Sequence, residues 1–148
     1  MEEKERVLSD LRELRVKSED LFRYLQSDDK DIKHEAWVTA EKLIRSGKLE
    51  LQPLLCFPDH GTRYRVWNLI PDLPHVKREV IISGIPCFLE LLQDKDVNVR
   101  RLSWYVTLPK LLSYVNLADV KMLTDYCREV ATGEWKDLLD ETCREIQD

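Results

Sequence analysis

Three residue pairs in this chain share one chemistry and one spacing. Lys33 precedes Trp37, Arg63 precedes Trp67 and Arg100 precedes Trp104, each cation four positions ahead of an indole. On a helix, residues four apart are neighbours on one face, so each cation can lie against its own indole at a gain of about 0.5–1 kcal/mol. Tryptophan and arginine are also the side chains that dominate binding hot spots. If exposed, Lys33, Trp37, Arg63, Trp67, Arg100 and Trp104 would form a row of partner contacts. If buried, each indole would fill the wedge between successive helices with its N–H on a turn carbonyl. Each cation would then join a ladder with the turn acids Asp31, Asp59 or Asp96.

The elements that hold these pairs are written in the flanking residues. IKHEAWVTAEKL (32–43), TRYRVWNLIPDL (62–73) and VRRLSWYVTLPKL (99–111) match one another at spacings of 30 and then 37 residues, the signature of stacked helical repeats. At about 100° per residue, Val66, Leu69, Ile70 and Leu73 point one way, and Trp67 lies roughly 100° to the side with Arg63 between. Lys33 and Trp37 hold equivalent places relative to Ile32, Ala36, Ala40 and Leu43. The pairs thus sit at the margin of the core.

Punctuation gives the remaining elements. A charged helix is predicted over 2–16, then a second one capped by the Ser18 hydroxyl. SDDKD (27–31) is a turn, and the helix over 32–44 stops at Gly47 in a left-handed cap. A short helix near 49–56 is followed by FPDHG (57–61) and a helix from Thr62 that Pro71 bends or shortens. Residues 76–82 read as one short helix, Ser83–Gly84 as a break, and 85–93 as a new helix with Pro86 in its first turn. The third tryptophan helix is kinked at Pro109, and closing helices are expected near 117–131 and 135–146. Residues 1–148 are expected to form one domain: a capping helix (1–17), three repeats (18–115) and a capping helix pair (116–148).

The third unit, IPCFLELLQDKDVNVRRLSWYV (85–106), resembles the HEAT-repeat pattern of apolar helix, acidic turn (Asp94–Asp96), Val99–Arg100 and a small residue, Ser103. Ile32, Lys33 and Ala36 repeat it approximately, and Thr62, Arg63 and Val66 weakly. KREVIISGIPCFLELL (77–92) is also similar to an armadillo repeat. The resemblance covers roughly residues 18–112. It implies an all-α superhelix of about three to four HEAT/armadillo-like helix pairs with capping helices. In armadillo nuclear-import adaptors a Trp-x-x-x-Asn pattern lines a peptide groove. Trp37, Trp67 and Trp104 match its tryptophan, but Glu41, Pro71 and Leu108 replace its asparagine, so that function is not carried over.

Solenoids present extended curved faces without a built-in catalytic crevice, so the implied role is a non-enzymatic module that binds a protein or peptide segment on its concave face. The alternative is nucleic-acid binding by a Trp/Arg-lined concave face. HEAT-like alkylpurine DNA glycosylases work this way with an added acid, and Asp72 is the nearest acid to the central pair here. A third reading makes the tryptophan edge a homodimer interface.

Composition weighs on these readings. The net charge is −5, distributed as −3 over 1–59, +3 over 60–115 and −5 over 116–148, which disfavours a general nucleic-acid binder. Arg65, Lys77, Arg78, Arg100 and Arg101 could gather as a basic patch, although solvated helix faces account for most such clusters. Cys56, Cys87, Cys127 and Cys143 form no CxxC and no metal-ligand spacing, so they are expected to be buried, reduced thiols with no metal and no cofactor. His34, His60 and His75 read as surface or capping residues, and no phosphate-binding glycine motif occurs. With no apolar signal core and no long apolar run, a soluble, reducing, cytoplasmic setting is expected.

Overall fold

Asp29, Asp59 and Asp96 each stand one residue before a helix and take first-turn backbone N–H groups onto their carboxylates. Asp29 accepts from Asp31 and Ile32, Asp59 from Thr62, and Asp96 from Asn98 and Val99. Each satisfies donors that a helix start otherwise leaves open. In a computed structural model, which describes residues 2–147, the chain is helical, with no strand among those residues. It divides into a unit ending at Leu51 and a unit beginning at Gln52.

In the first unit, α1 (Glu3–Arg12) and α2 (Ser18–Tyr24) both pack on α3 (Lys30–Arg45). Leu11, Leu21, Leu25, Ala36, Ala40 and Ile44 are fully buried. The Thr39 hydroxyl donates to the Leu11 carbonyl at 2.9 Å, tying α3 to the end of α1. Lys4 lies 3.0 Å from Asp29, and its hydrogen bond, with that of the Ile32 N–H, holds the Asp29 carboxyl below the usual carboxylate range. Gly47 takes the left-handed conformation expected of it, with φ of 70°. Two boundaries differ from expectation. The first helix ends at Arg12 because Leu14 adopts φ of 59°, a left-handed turn the sequence does not advertise with glycine. Ser18 lies inside α2; the N-cap is Lys17, which makes no side-chain capping bond.

The second unit opens with α4 (Gln52–Leu55) and α5 (His60–Leu69). As expected at Pro71, α5 gives way to a tight 3₁₀ turn, Ile70–Asp72. Next come α6 (Arg78–Leu91) and α7 (Val97–Leu102). A π-helical stretch, Ser103–Thr107, then leads into α8 (Leu108–Leu111). The wide π turn lies where a regular helix would drive the Pro109 ring against the carbonyl four residues earlier. The closing helices are α9 (Leu117–Lys121), α10 (Thr124–Glu129) and α11 (Lys136–Gln147). The core of this unit gathers Leu54, Leu55, Val66, Trp67, Ile81, Phe88, Leu91, Trp104 and Leu111.

The expected break at Ser83–Gly84 is corrected: α6 runs through it without interruption. Gly84 serves close packing instead. A Cβ placed there would meet Leu55 Cδ1 at 2.8 Å and Trp67 Cζ2 at 2.9 Å, so only glycine lets α6 lie this near α4 and α5. Exchanging glycine for alanine in an open helix stabilises it by about 1 kcal/mol. Gly84→Ala is expected to do the reverse, lowering unfolding free energy by about 1–3 kcal/mol in urea denaturation, because neither neighbour can retreat. A gain in stability would mean that the helices do not meet at this point.

The reading of four reduced, buried thiols is also corrected. Cys56 pairs with Cys87 and Cys127 with Cys143, with Cα–Cα distances of 5.2 and 6.0 Å, and no free cysteine remains. Each bridge joins two separate elements that only packing brings together, so the spacing could not disclose it. Cys56 is exposed, whereas Cys127 and Cys143 are buried. Closing the 31-residue separation of the first bridge contributes roughly 3–4 kcal/mol on chain-entropy grounds. With all four cysteines paired, cysteine usage no longer points to a reducing compartment. Among the described residues no helix is long and apolar enough to cross a membrane.

Candidate functional site

The Arg–Trp pairs of the second unit occupy equivalent places and make equivalent bonds. The Trp67 indole N–H donates to the Leu55 carbonyl at 2.9 Å, and Trp104 donates to Leu92 at 2.8 Å, each reaching twelve residues back. Arg63 Nε donates to the Phe57 carbonyl at 2.9 Å, and Arg100 Nε to Asp94 at 2.8 Å, each six residues back. With Asp59 and Asp96 as the caps, one set of three positions recurs 37 residues apart. Carbonyls at the end of one helix are satisfied by side chains of the next, which fixes the turn between them.

Of the two readings of the pairs, this geometry matches the buried one at Trp67 and Trp104, and the row of exposed indoles does not form there. Trp67 and Trp104 have no solvent-accessible surface, and Arg63 is 5% exposed. No partner can touch the first two without unfolding the unit. The physical cause is the neighbouring helix: Phe88 of α6 closes over Trp67 with ring centroids 5.5 Å apart. Arg100 is largely enclosed as well, lying 2.9 Å from Glu129 and over the Tyr126 ring at 5.6 Å. Lys33 and Trp37, in the first unit, are half-buried. The cations also differ from the expected ladder, since Arg63 and Arg100 bond turn carbonyls rather than only turn acids.

Three of the arginines proposed for a basic patch, Arg78, Arg100 and Arg101, make separate structural contacts. Arg78 donates to the Ser113 carbonyl at 2.6 Å and stacks on Tyr114, while Arg101 donates to the Val130 carbonyl at 3.1 Å. Arg101 also lies 5.9 Å from the Trp135 ring, and Tyr105 meets that ring edge-on at 5.9 Å. Arg101, Tyr105 and Trp135 are all half-buried, so each keeps surface that another molecule can reach. This is the arginine–aromatic group that the sequence pattern assigned elsewhere. Trp135 lies outside the repeated motif, and no spacing rule pointed to it.

A second group also escaped sequence reading. The Asp94 carboxylate, 8% exposed, lies 2.5 Å from His60 Nδ1 and accepts the Asp96 N–H on its other oxygen. With Glu90, Gln93 and Lys95, the pair lines an open cavity of about 450 Å³. An imidazole held at Nδ1 presents Nε2 outward, half of what acid–base chemistry needs. The pair ties the start of α5 to the turn after α6. A signal was present: Asp94 stands at the repeat position of buried Phe57, and a carboxylate replacing a core phenylalanine requires a polar partner. Among the described residues no group of three or more His, Cys, Asp or Glu is placed to hold a metal. Comparison with protein-family models, curated proteins and solved structures finds no match for this chain.

Proposed function

We propose that the chain is an α-solenoid of HEAT/armadillo type, a non-enzymatic module that binds a segment of another protein. The observation supporting this reading is that cap, arginine clamp and indole bond occur twice in the second unit, 37 residues apart. Repeated helix pairs joined in this way serve chiefly as binding surfaces. Burial removes Arg63, Trp67 and Trp104 from the contact surface, and Arg100 contributes little. The contacts are therefore assigned to Arg101, Tyr105 and Trp135, all in the second unit. Half-buried aromatic rings beside an arginine have the composition of an interface hot spot.

The test is a quantitative affinity purification from the native cell with wild-type protein and with a Tyr105→Ala/Trp135→Ala double variant. A protein partner retained by wild type should be lost at least tenfold in the variant, while the melting temperature falls only a few degrees. Equal retention by both proteins defeats the surface assignment. Retention of nucleic acid instead, falling steeply from low to moderate salt, would move the reading to the alternative class.

A further inference from the structure

We infer that Cys56–Cys87 is a redox site: a disulfide that exchanges with a soluble dithiol while the protein stays folded, unlike the Cys127–Cys143 bridge of the same unit. The two bridges differ first in access. Thiol–disulfide exchange needs an attacking thiolate to reach a sulfur. Cys56 follows α4 and is exposed, and Cys87 on α6 is half-buried. Cys127 and Cys143 are 0% and 3% exposed, between α10 and α11, and offer no approach.

The first bridge also has a cation beside it. The Arg63 guanidinium donates to the Cys87 carbonyl and to the Cys56 carbonyl, each at 3.2 Å, so a fixed cation bridges the backbone of both half-cystines. A nearby cation favours thiolate over thiol and so improves the leaving group. In the reaction, one thiolate of the dithiol attacks Cys56 Sγ, and the electron pair of the S–S bond leaves on Cys87 Sγ. The second thiolate of the dithiol then attacks its own sulfur in the mixed disulfide and releases Cys56 Sγ as thiolate. The dithiol departs as a disulfide; the protein gains two electrons and, on protonation of both sulfurs, two protons.

The surroundings keep the separated cysteines close. Arg63 still spans both carbonyls, Trp67 still holds the Leu55 carbonyl, and Gly84 still lies against Leu55. Re-closure is therefore an intramolecular step between two preplaced sulfurs.

The full chain, folded in native buffer, is exposed to dithiothreitol, and free thiols are trapped with iodoacetamide at intervals and located by peptide mass spectrometry. Cys56 and Cys87 are expected to be alkylated at least tenfold faster than Cys127 and Cys143, with the far-ultraviolet circular dichroism unchanged. Replacing the reductant with oxidised glutathione should restore the 56–87 bridge. Three results would each overturn the inference: the two bridges opening in step, Cys56–Cys87 opening only as helical signal is lost, or the thiols at 56 and 87 failing to re-oxidise.

Discussion

Trp67→Ala and Trp104→Ala each lower the free energy of unfolding by about 3–5 kcal/mol, and by similar amounts at the two sites. Both side chains are wholly enclosed, so truncation removes a large apolar surface from the core and leaves a void its neighbours cannot fill. Truncation also leaves the Leu55 or Leu92 carbonyl without its indole donor. Trp→Phe separates the two contributions. A phenyl ring retains most of the packing but cannot donate, so Trp67→Phe should cost about 1–3 kcal/mol, much of it the unpaired carbonyl. Urea denaturation of the non-reduced protein measures all four variants. Stability unchanged in the alanine variants would mean the indoles stand in solvent, and the interaction surface would then have to be redrawn around them.

What the sequence could and could not disclose divides along a physical line. Helix periodicity, the acidic turns, Gly47 and Pro71 act within a few residues, and each was legible because its cause is local; that the turn aspartates cap the helices was not read. The matched Arg–Trp spacing also gave the equivalence of the two helix pairs in the second unit. It left burial and exposure as alternatives. An indole about 100° from the centre of an apolar face is marginal on a single helix, and the ring of Phe88, from another helix, is what encloses Trp67. The same limit explains Ser83–Gly84, which reads as a break locally but answers to the approach of Leu55 and Trp67. The bridge between Cys56 and Cys87, the tie between His60 and Asp94, and the meeting of Tyr105 with Trp135 all join separate elements. Only Asp94 left a trace, as a carboxylate 37 positions after a buried phenylalanine, Phe57.

Arg63→Leu is the other substitution expected to cost heavily, about 3–5 kcal/mol, although the residue lines no apolar cluster by type. Its guanidinium donates to three carbonyls, those of Phe57, Cys87 and Cys56, from a side chain only 6% exposed. A leucine would fill similar volume yet take this donor from the Phe57 and Cys56 carbonyls just past the end of α4, and each such group costs about 1–3 kcal/mol, while the Cys87 carbonyl keeps its bond within α6. Glu90 contributes less, since it lies 3.5 Å away and is 56% exposed, where solvent screens the pair. Arg63→Lys decides between charge and geometry. Lysine keeps the cation but replaces a planar fork with a single ammonium that cannot span three carbonyls at once. Lysine is therefore expected to recover no more than about half of the loss, with little change between low and high salt. Full recovery by lysine, with strong salt dependence, would make Arg63 an ion-pair residue and remove the guanidinium clamp from the account of how this turn is held.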